Sequence, residues 1–152
     1  MNWNLSAGTA ELMNLSHVGI AVADTEKTVG FLSSVWNIGT PESFDYWPKE
    51  DELIAGEPFG VKLTFVKFGP LTLELLQPLD DKSIWSSFIA EKGEGIHHLA
   101  FGVSDYDELV DTFAKQGHPL LVAAVFQGCR WCYFDTSPGG IVIEFREEYP
   151  RT

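Results

Sequence analysis

The chain contains the same opening twice. His17-Val18-Gly19-Ile20-Ala21-Val22-Ala23-Asp24 returns as His98-Leu99-Ala100-Phe101-Gly102-Val103-Ser104-Asp105, at a constant offset of 81 residues. Self-similarity at a fixed period means one supersecondary unit built more than once, each copy packing against its neighbour. Each copy begins with His, closes on Asp and is followed by a helix-like stretch. Asp24 and Asp105 are suited to N-capping, because a short carboxylate accepts the orphan N–H groups of a first turn. Glu26, Asp107 and Glu108 put negative charge where the helix dipole favours it. Val29, Leu32, Val35 and Trp36 then form an apolar stripe, matched by Leu109, Val110 and Phe113 in the second copy.

Extended segments rich in β-branched and aromatic residues follow each helix. In the first half these are Ser43–Trp47, Val61–Phe68 and Leu71–Gln77, the last two joined by Gly69-Pro70. In the second half they are Leu120–Phe126, Arg130–Asp135 and Ile141–Arg146, with a turn at Ser137-Pro138-Gly139-Gly140. Both halves therefore read β-α-β-β-β. Residues 15–78 form the first module and residues 95–148 the second. Residues 79–94 hold a connecting helix with Ile84, Trp85, Phe88 and Ile89 on one face and Gly93 as its stop. Lys49 to Gly60 is an acidic insertion present in the first half only, a candidate lid or a plain surface loop.

Composition bounds the function. At 152 residues the chain predicts a single domain, 1–152. Twenty-two acidic residues against ten Lys and Arg leave a formal charge of −12. That balance opposes nucleic-acid binding and an anionic membrane surface as partner. No apolar run approaches the roughly 18–20 residues of a membrane span. Met1 to Asn14 has no secretory pattern, so a soluble, cytoplasmic protein is expected. Two cysteines provide no disulfide framework.

Strand alternation sorts the candidate site residues. His17, Gly19 and Ala21 share one face of the first strand; His98, Ala100 and Gly102 share one face of its counterpart. Each His face carries only small neighbours, which leaves space for a cavity. Each module also ends in a strand with one acid in an apolar run: Glu74 in Leu71-Thr72-Leu73-Glu74-Leu75-Leu76, and Glu144 in Ile141-Val142-Ile143-Glu144-Phe145. A carboxylate there is costly to bury unless it is paired or metal-bound. Two imidazoles and two carboxylates suit a divalent ion. A lone His or Glu in a strand usually has no such role; the case rests on the duplication. His97 faces away from His98's side and is read as support for it or as packing. His118 is read as a loop residue. Cys129-Arg130-Trp131-Cys132 opens a strand rather than a helix, so it is read as two free thiols and not a redox motif.

Paired βαβββ modules with these openings resemble the vicinal oxygen chelate superfamily, which includes glyoxalase I. The likeness runs from about Leu15 to Glu147. Leu15–Val22, Leu73–Leu79 and Gly95–His98 resemble the methylmalonyl-CoA epimerase branch in particular. The resemblance implies an α+β fold whose two modules curl into an open barrel-like cleft around one divalent metal ion (Co, Mn, Ni, Zn, Mg or Fe). It implies His17, Glu74, His98 and Glu144 as ligands. It further implies an isomerase or lyase that removes a proton beside a metal-bound carbonyl, acting on an acyl-CoA or a hemithioacetal, and a homodimer. Glu144 is then a candidate proton carrier. The epimerases add a glutamate from the loop before the third strand; Glu57 is the nearest acid here, one residue out of place with Pro58 in its stead. Lys62, Lys67 and Arg130 are candidates to meet coenzyme A phosphates, and Trp47, Trp131 and Tyr133 candidate aromatic walls. Two other readings remain open: an Fe(II) dioxygenase, which the fourth ligand Glu74 disfavours, and a metal-free binding protein like the bleomycin-resistance relatives.

Overall fold

The computed structural model describes residues 11–136 and 140–148. Ser137, Pro138 and Gly139 of the expected turn, and residues 1–10 of the N-terminal arm, lie outside them. The first half runs β1 (Leu12–Ala21), α1 (Thr25–Val35), β2 (Glu42–Tyr46), β3 (Leu53–Ala55), β4 (Val61–Phe68) and β5 (Leu71–Pro78). After α2 (Ile84–Lys92) come β6 (Gly95–Val103), α3 (Tyr106–Lys115), β7 (Leu120–Phe126), β8 (Cys129–Asp135) and β9 (Val142–Glu147). Asp24 and Asp105 cap α1 and α3 as their positions predict, accepting from the N–H groups of Lys27 and Glu108. Gly93, at φ 81°, ends α2.

All the strands belong to one sheet, ordered β2-β4-β5-β1-β6-β9-β8-β7-β3. The repeat shows in the pairing. β1 lies parallel to β5 and β6 parallel to β9, and the two halves join through an antiparallel β1–β6 ladder. A pseudo-twofold axis therefore passes between β1 and β6.

Where the structure adds to the sequence reading is the insertion. Its short strand β3 leaves the first half and pairs with β7 of the second. β2 and β3 thus sit at opposite ends of the strand order with only residues 47–52 between them. The sheet must curl for so short a link to span it. Phe44 of β2 stacks on Phe126 of β7 with centroids 5.6 Å apart, and the Tyr46 hydroxyl donates to the Val125 carbonyl at 3.1 Å. The result is the open, barrel-like cleft of a glyoxalase-like α+β fold.

α1 and α3 cover the convex side, while α2 turns Trp85 into the concave side. Val29 and Leu32 of α1 pack on Val18, Val22, Val66, Leu73 and Leu75. Val35, expected in the same stripe, is exposed, as is much of Trp36, which meets Phe68 edge-on. Leu109, Val110 and Phe113 of α3 pack on Val103, Phe134 and Phe145. The third core cluster, with Tyr46, Val61, Leu63, Leu76, Trp85, Trp131 and Tyr133, lines the concave side. Among the described residues, no helix is long and apolar enough to cross a membrane.

Candidate metal centre

The four residues singled out by the duplication meet at the floor of the cleft. Sheet register explains how. In one row, Glu74 of β5 pairs beside Gly19 of β1, and Gly19 beside His98 of β6. In the other row, Glu144 of β9 pairs beside Ala100 of β6, and Ala100 beside His17 of β1. Each row sets a small residue between an imidazole and a carboxylate, so the larger side chains lean together over it. Gly19 is required for this: a Cβ there would overlap the His98 ring.

The donor atoms converge closely. His17 Nε2 lies 3.0 Å from Glu74 Oε2, 3.1 Å from Glu144 Oε2 and 3.2 Å from His98 Nε2. His98 Nε2 lies 3.0 Å from Glu144 Oε2 and 3.4 Å from Glu74 Oε2. All four residues are buried, and among the described residues they are the cluster with the donors to hold a metal ion. Ligands about 2.0–2.2 Å from a shared ion stand at such spacings from one another, and two imidazoles with two carboxylates are ordinary donors for a divalent metal. The residues present fit the ion.

The outer ring nitrogens are held as well. His17 Nδ1 is 3.1 Å from Ser16 Oγ, and His98 Nδ1 is 3.0 Å from His97 Nδ1. If both ligands turn Nε2 to the ion, each carries its proton on Nδ1 and donates it outward, which fixes tautomer and ring orientation. His97 is suited to accept. Burial, with the charge of His98 beside it, lowers its pKa to about 3, so it stays neutral. His97 packs against Phe88 of α2 and Tyr133, so it both supports His98 and joins the packing.

The cluster is strongly coupled electrostatically. Burial alone would lower the pKa of His17, but the Glu74 and Glu144 carboxylates beside it raise it to about 10. His98 is raised by the same two acids against its burial. Glu74 and Glu144 are held below the ordinary carboxylate range by the imidazoles, which outweigh the opposing effect of burial. Protons and a metal ion would therefore compete for one set of atoms.

Above this floor the cleft, counted together with its open mouth, spans about 520 Å³. Val61, Leu63, Phe65, Leu76, Trp85, Phe126, Trp131 and Tyr133 form its walls. Trp131 and Tyr133 are thus where the sequence reading places them; Trp47 is not, being exposed and packed over Gly60. Glu57 does not join the site. It is exposed and lines a separate depression with Phe59, Lys82 and Ser83. Phe59 is buried against Tyr46, Trp85 and Trp131 and stands between the two. Nor do the expected cations gather at one mouth. Lys62 alternates away from the cleft-lining Val61 and Leu63, Lys67 bonds to Thr72, and Arg130 is spent on Asp107 and Glu147. Cys129 and Cys132 are free, and burial raises the Cys132 thiol to about 11. His118 lies after α3, half-buried beside Phe113. The sequence reading missed Ser16 and Arg146. The signal for Arg146 was present: it follows Glu144 by two positions in a strand and so shares its face.

Comparison with known proteins agrees with this fold. Residues 16–133 match the profile of the Glyoxalase/Bleomycin resistance protein/Dioxygenase superfamily. The uncharacterized protein YqjC of Bacillus subtilis is 30% identical over 114 residues, covering 68% of this chain and 74% of that one. Human mitochondrial methylmalonyl-CoA epimerase is 30% identical over 115 residues, 75% of this chain; the match spans only 56% of the human protein's length. The crystal structure of methylmalonyl-CoA epimerase from Mycobacterium tuberculosis superposes with a TM-score of 0.67 at 26% identity, covering 95% of this chain and 94% of that one. With its duplicated modules, curled sheet and matching profile, the chain belongs to the glyoxalase/bleomycin resistance/dioxygenase superfamily.

Proposed function

We propose that this protein is a metal-dependent isomerase that moves a proton at a carbon next to a carbonyl, in the manner of the methylmalonyl-CoA epimerases it is similar to. The observation that carries the reading is the buried His17–Glu74–His98–Glu144 cluster at the floor of an aromatic cleft. A divalent ion held there would supply electrophilic pull on a substrate oxygen, lowering the pKa of the neighbouring C–H. The chain's own residues do the rest. The aromatic and aliphatic walls exclude water and seat the substrate's apolar part. His97 and Ser16 keep the two imidazoles in register. Glu144 is the proposed proton carrier, since a carboxylate at the floor lies beside any substrate oxygen bound there. Glu57 has no part in this step, because it lies outside the cleft. A glyoxalase I-like lyase acting on a hemithioacetal is the second reading, favoured by the fact that both acids among the described cleft residues, Glu74 and Glu144, lie at the metal centre.

Two measurements test this. Elemental analysis of purified protein after metal reconstitution is expected to give about one divalent ion per chain in the wild type and a strongly reduced content in His98→Ala. With the ion bound, solvent deuterium should enter the α-position of methylmalonyl-CoA, and chelation should stop it. Exchange confined to a methylglyoxal–thiol hemithioacetal would favour the second reading. Exchange on neither substrate, or none that depends on metal, rejects the proposal.

A further inference from the structure

Besides His17, Glu74 and Glu144, the cleft is lined by two ionised side chains, Arg130 and Arg146, and they are in different situations. Arg130 is committed. Its guanidinium bonds both oxygens of Asp107 at 2.7 and 3.2 Å and both oxygens of Glu147 at 2.7 and 3.2 Å, and it covers the Tyr106 ring. Arg146 donates from Nη1 to Ser16 Oγ at 3.1 Å, and its Nε stands 3.8 Å from Glu144 Oε1, beyond hydrogen-bond distance. A guanidinium has five N–H donors in a planar fork, so Arg146 keeps donor capacity directly beside the metal centre. The pseudo-twofold axis sharpens the point. The first-half counterpart of Glu144 is Glu74, and the residue matching Arg146 is Leu76, which also lines the cleft. One wall is therefore cationic and the other apolar.

We propose that Arg146 is a specificity-determining residue, its guanidinium taking a free carboxylate of the substrate while a neighbouring oxygen lies at the metal centre. The inference rests on the metal-centre reading above. It commits this chain to substrates with an anionic carboxylate close to the reacting carbon, and it puts that carboxylate on the β9 wall.

The test uses malonate and its neutral isostere malonamide as probes. Each is titrated into wild-type protein, Arg146→Gln and Arg146→Lys, with and without reconstituted Co(II). Tryptophan fluorescence reports binding, and the visible Co(II) spectrum reports the metal's surroundings. A charge-assisted, two-pronged bond predicts that Arg146→Gln weakens malonate by about 10- to 100-fold and malonamide by less than about twofold. Arg146→Lys should recover part of the loss. Equal loss of both probes in Arg146→Gln shows a merely structural role and overturns the proposal. So does malonate binding that is unchanged in Arg146→Gln or absent from the wild type. Cobalt content is measured in parallel: a wild type that takes up no cobalt rejects the metal reading, whereas normal uptake with no malonate discrimination rejects Arg146 alone.

Discussion

A methyl group at position 19 would fall on the imidazole of His98, so the smallest residue of β1 controls the placement of a proposed ligand on β6. Gly19→Ala is expected to displace His98 and weaken metal retention at least about tenfold, the scale seen when support for a metal ligand is disturbed. Gly30→Ala is the control. Gly30 lies inside α1 with open space where its Cβ would go, so this change should stabilise the fold by about 0.5–1 kcal/mol and leave the metal untouched. Equilibrium dialysis against a chelator, with thermal melts of both variants, separates the two effects. At this scale the sequence was legible where it repeats. His17, Glu74, His98 and Glu144 could be paired before any coordinates because two modules carry the same pattern. Arg146 has no counterpart, since Leu76 stands in the matching place, and repetition could not reveal it. Glu57 was legible only as an acid near the right loop; the inward turn of Phe59, which leaves it outside, is a packing event.

The helices and long strands are the elements most plainly written in the chain. Their caps, alternation and turn residues are local, and the capping by Asp24 and Asp105 follows from a few adjacent side chains. β3 is different. Three residues long, it owes its existence to a partner strand some seventy residues away in sequence, and no local signal marks it. Its side chains are half-buried or exposed, so little apolar burial holds it to β7. Hydrogen exchange should therefore find residues 47–55 opening at least about ten times faster than β4 and β5, in a local event that leaves the rest of the sheet paired. Mass-spectrometric exchange on the intact chain checks this. Equal protection of β3 and β4 would mean that the link residues, and not the strand pairing, hold the sheet's edges together.

For the molecule as a whole, the centre makes stability a function of pH. In chelator-stripped protein, His17 has a folded pKa of about 10 against an ordinary 6.5. Its contribution is complete below pH 6.5 and disappears as pH rises through about 10. Glu144 runs the other way: held below its ordinary 4.5, it contributes above that value and the contribution is lost as pH falls past it. His97, lowered to about 3, takes up a proton on unfolding below pH 6.5, so stability also falls on that side and stripped protein should melt highest near pH 6.5. Binding a metal requires His17 to give up its proton, so the stabilisation conferred by added metal should grow from about pH 6.5 towards 9. Scanning calorimetry of stripped and loaded protein across this range measures both curves. A stripped protein that becomes more stable from pH 6.5 to 8.5 would show that His17 folds neutral. The overall curl of the sheet was expected only from family likeness, because edge closure through Phe44, Phe126 and β3 depends on contacts that no single segment encodes.

The axis between β1 and β6 also bears on ancestry. One unit of this chain, associating with an identical copy, would bring the same set of two His and two Glu to its dyad. A homodimeric ancestor would have presented two equivalent walls, and a guest could have entered in either of two directions. Joining the halves in one gene freed each wall to change alone. Arginine on one side and leucine on the other remove that equivalence, so a guest with one anionic end is received in one orientation.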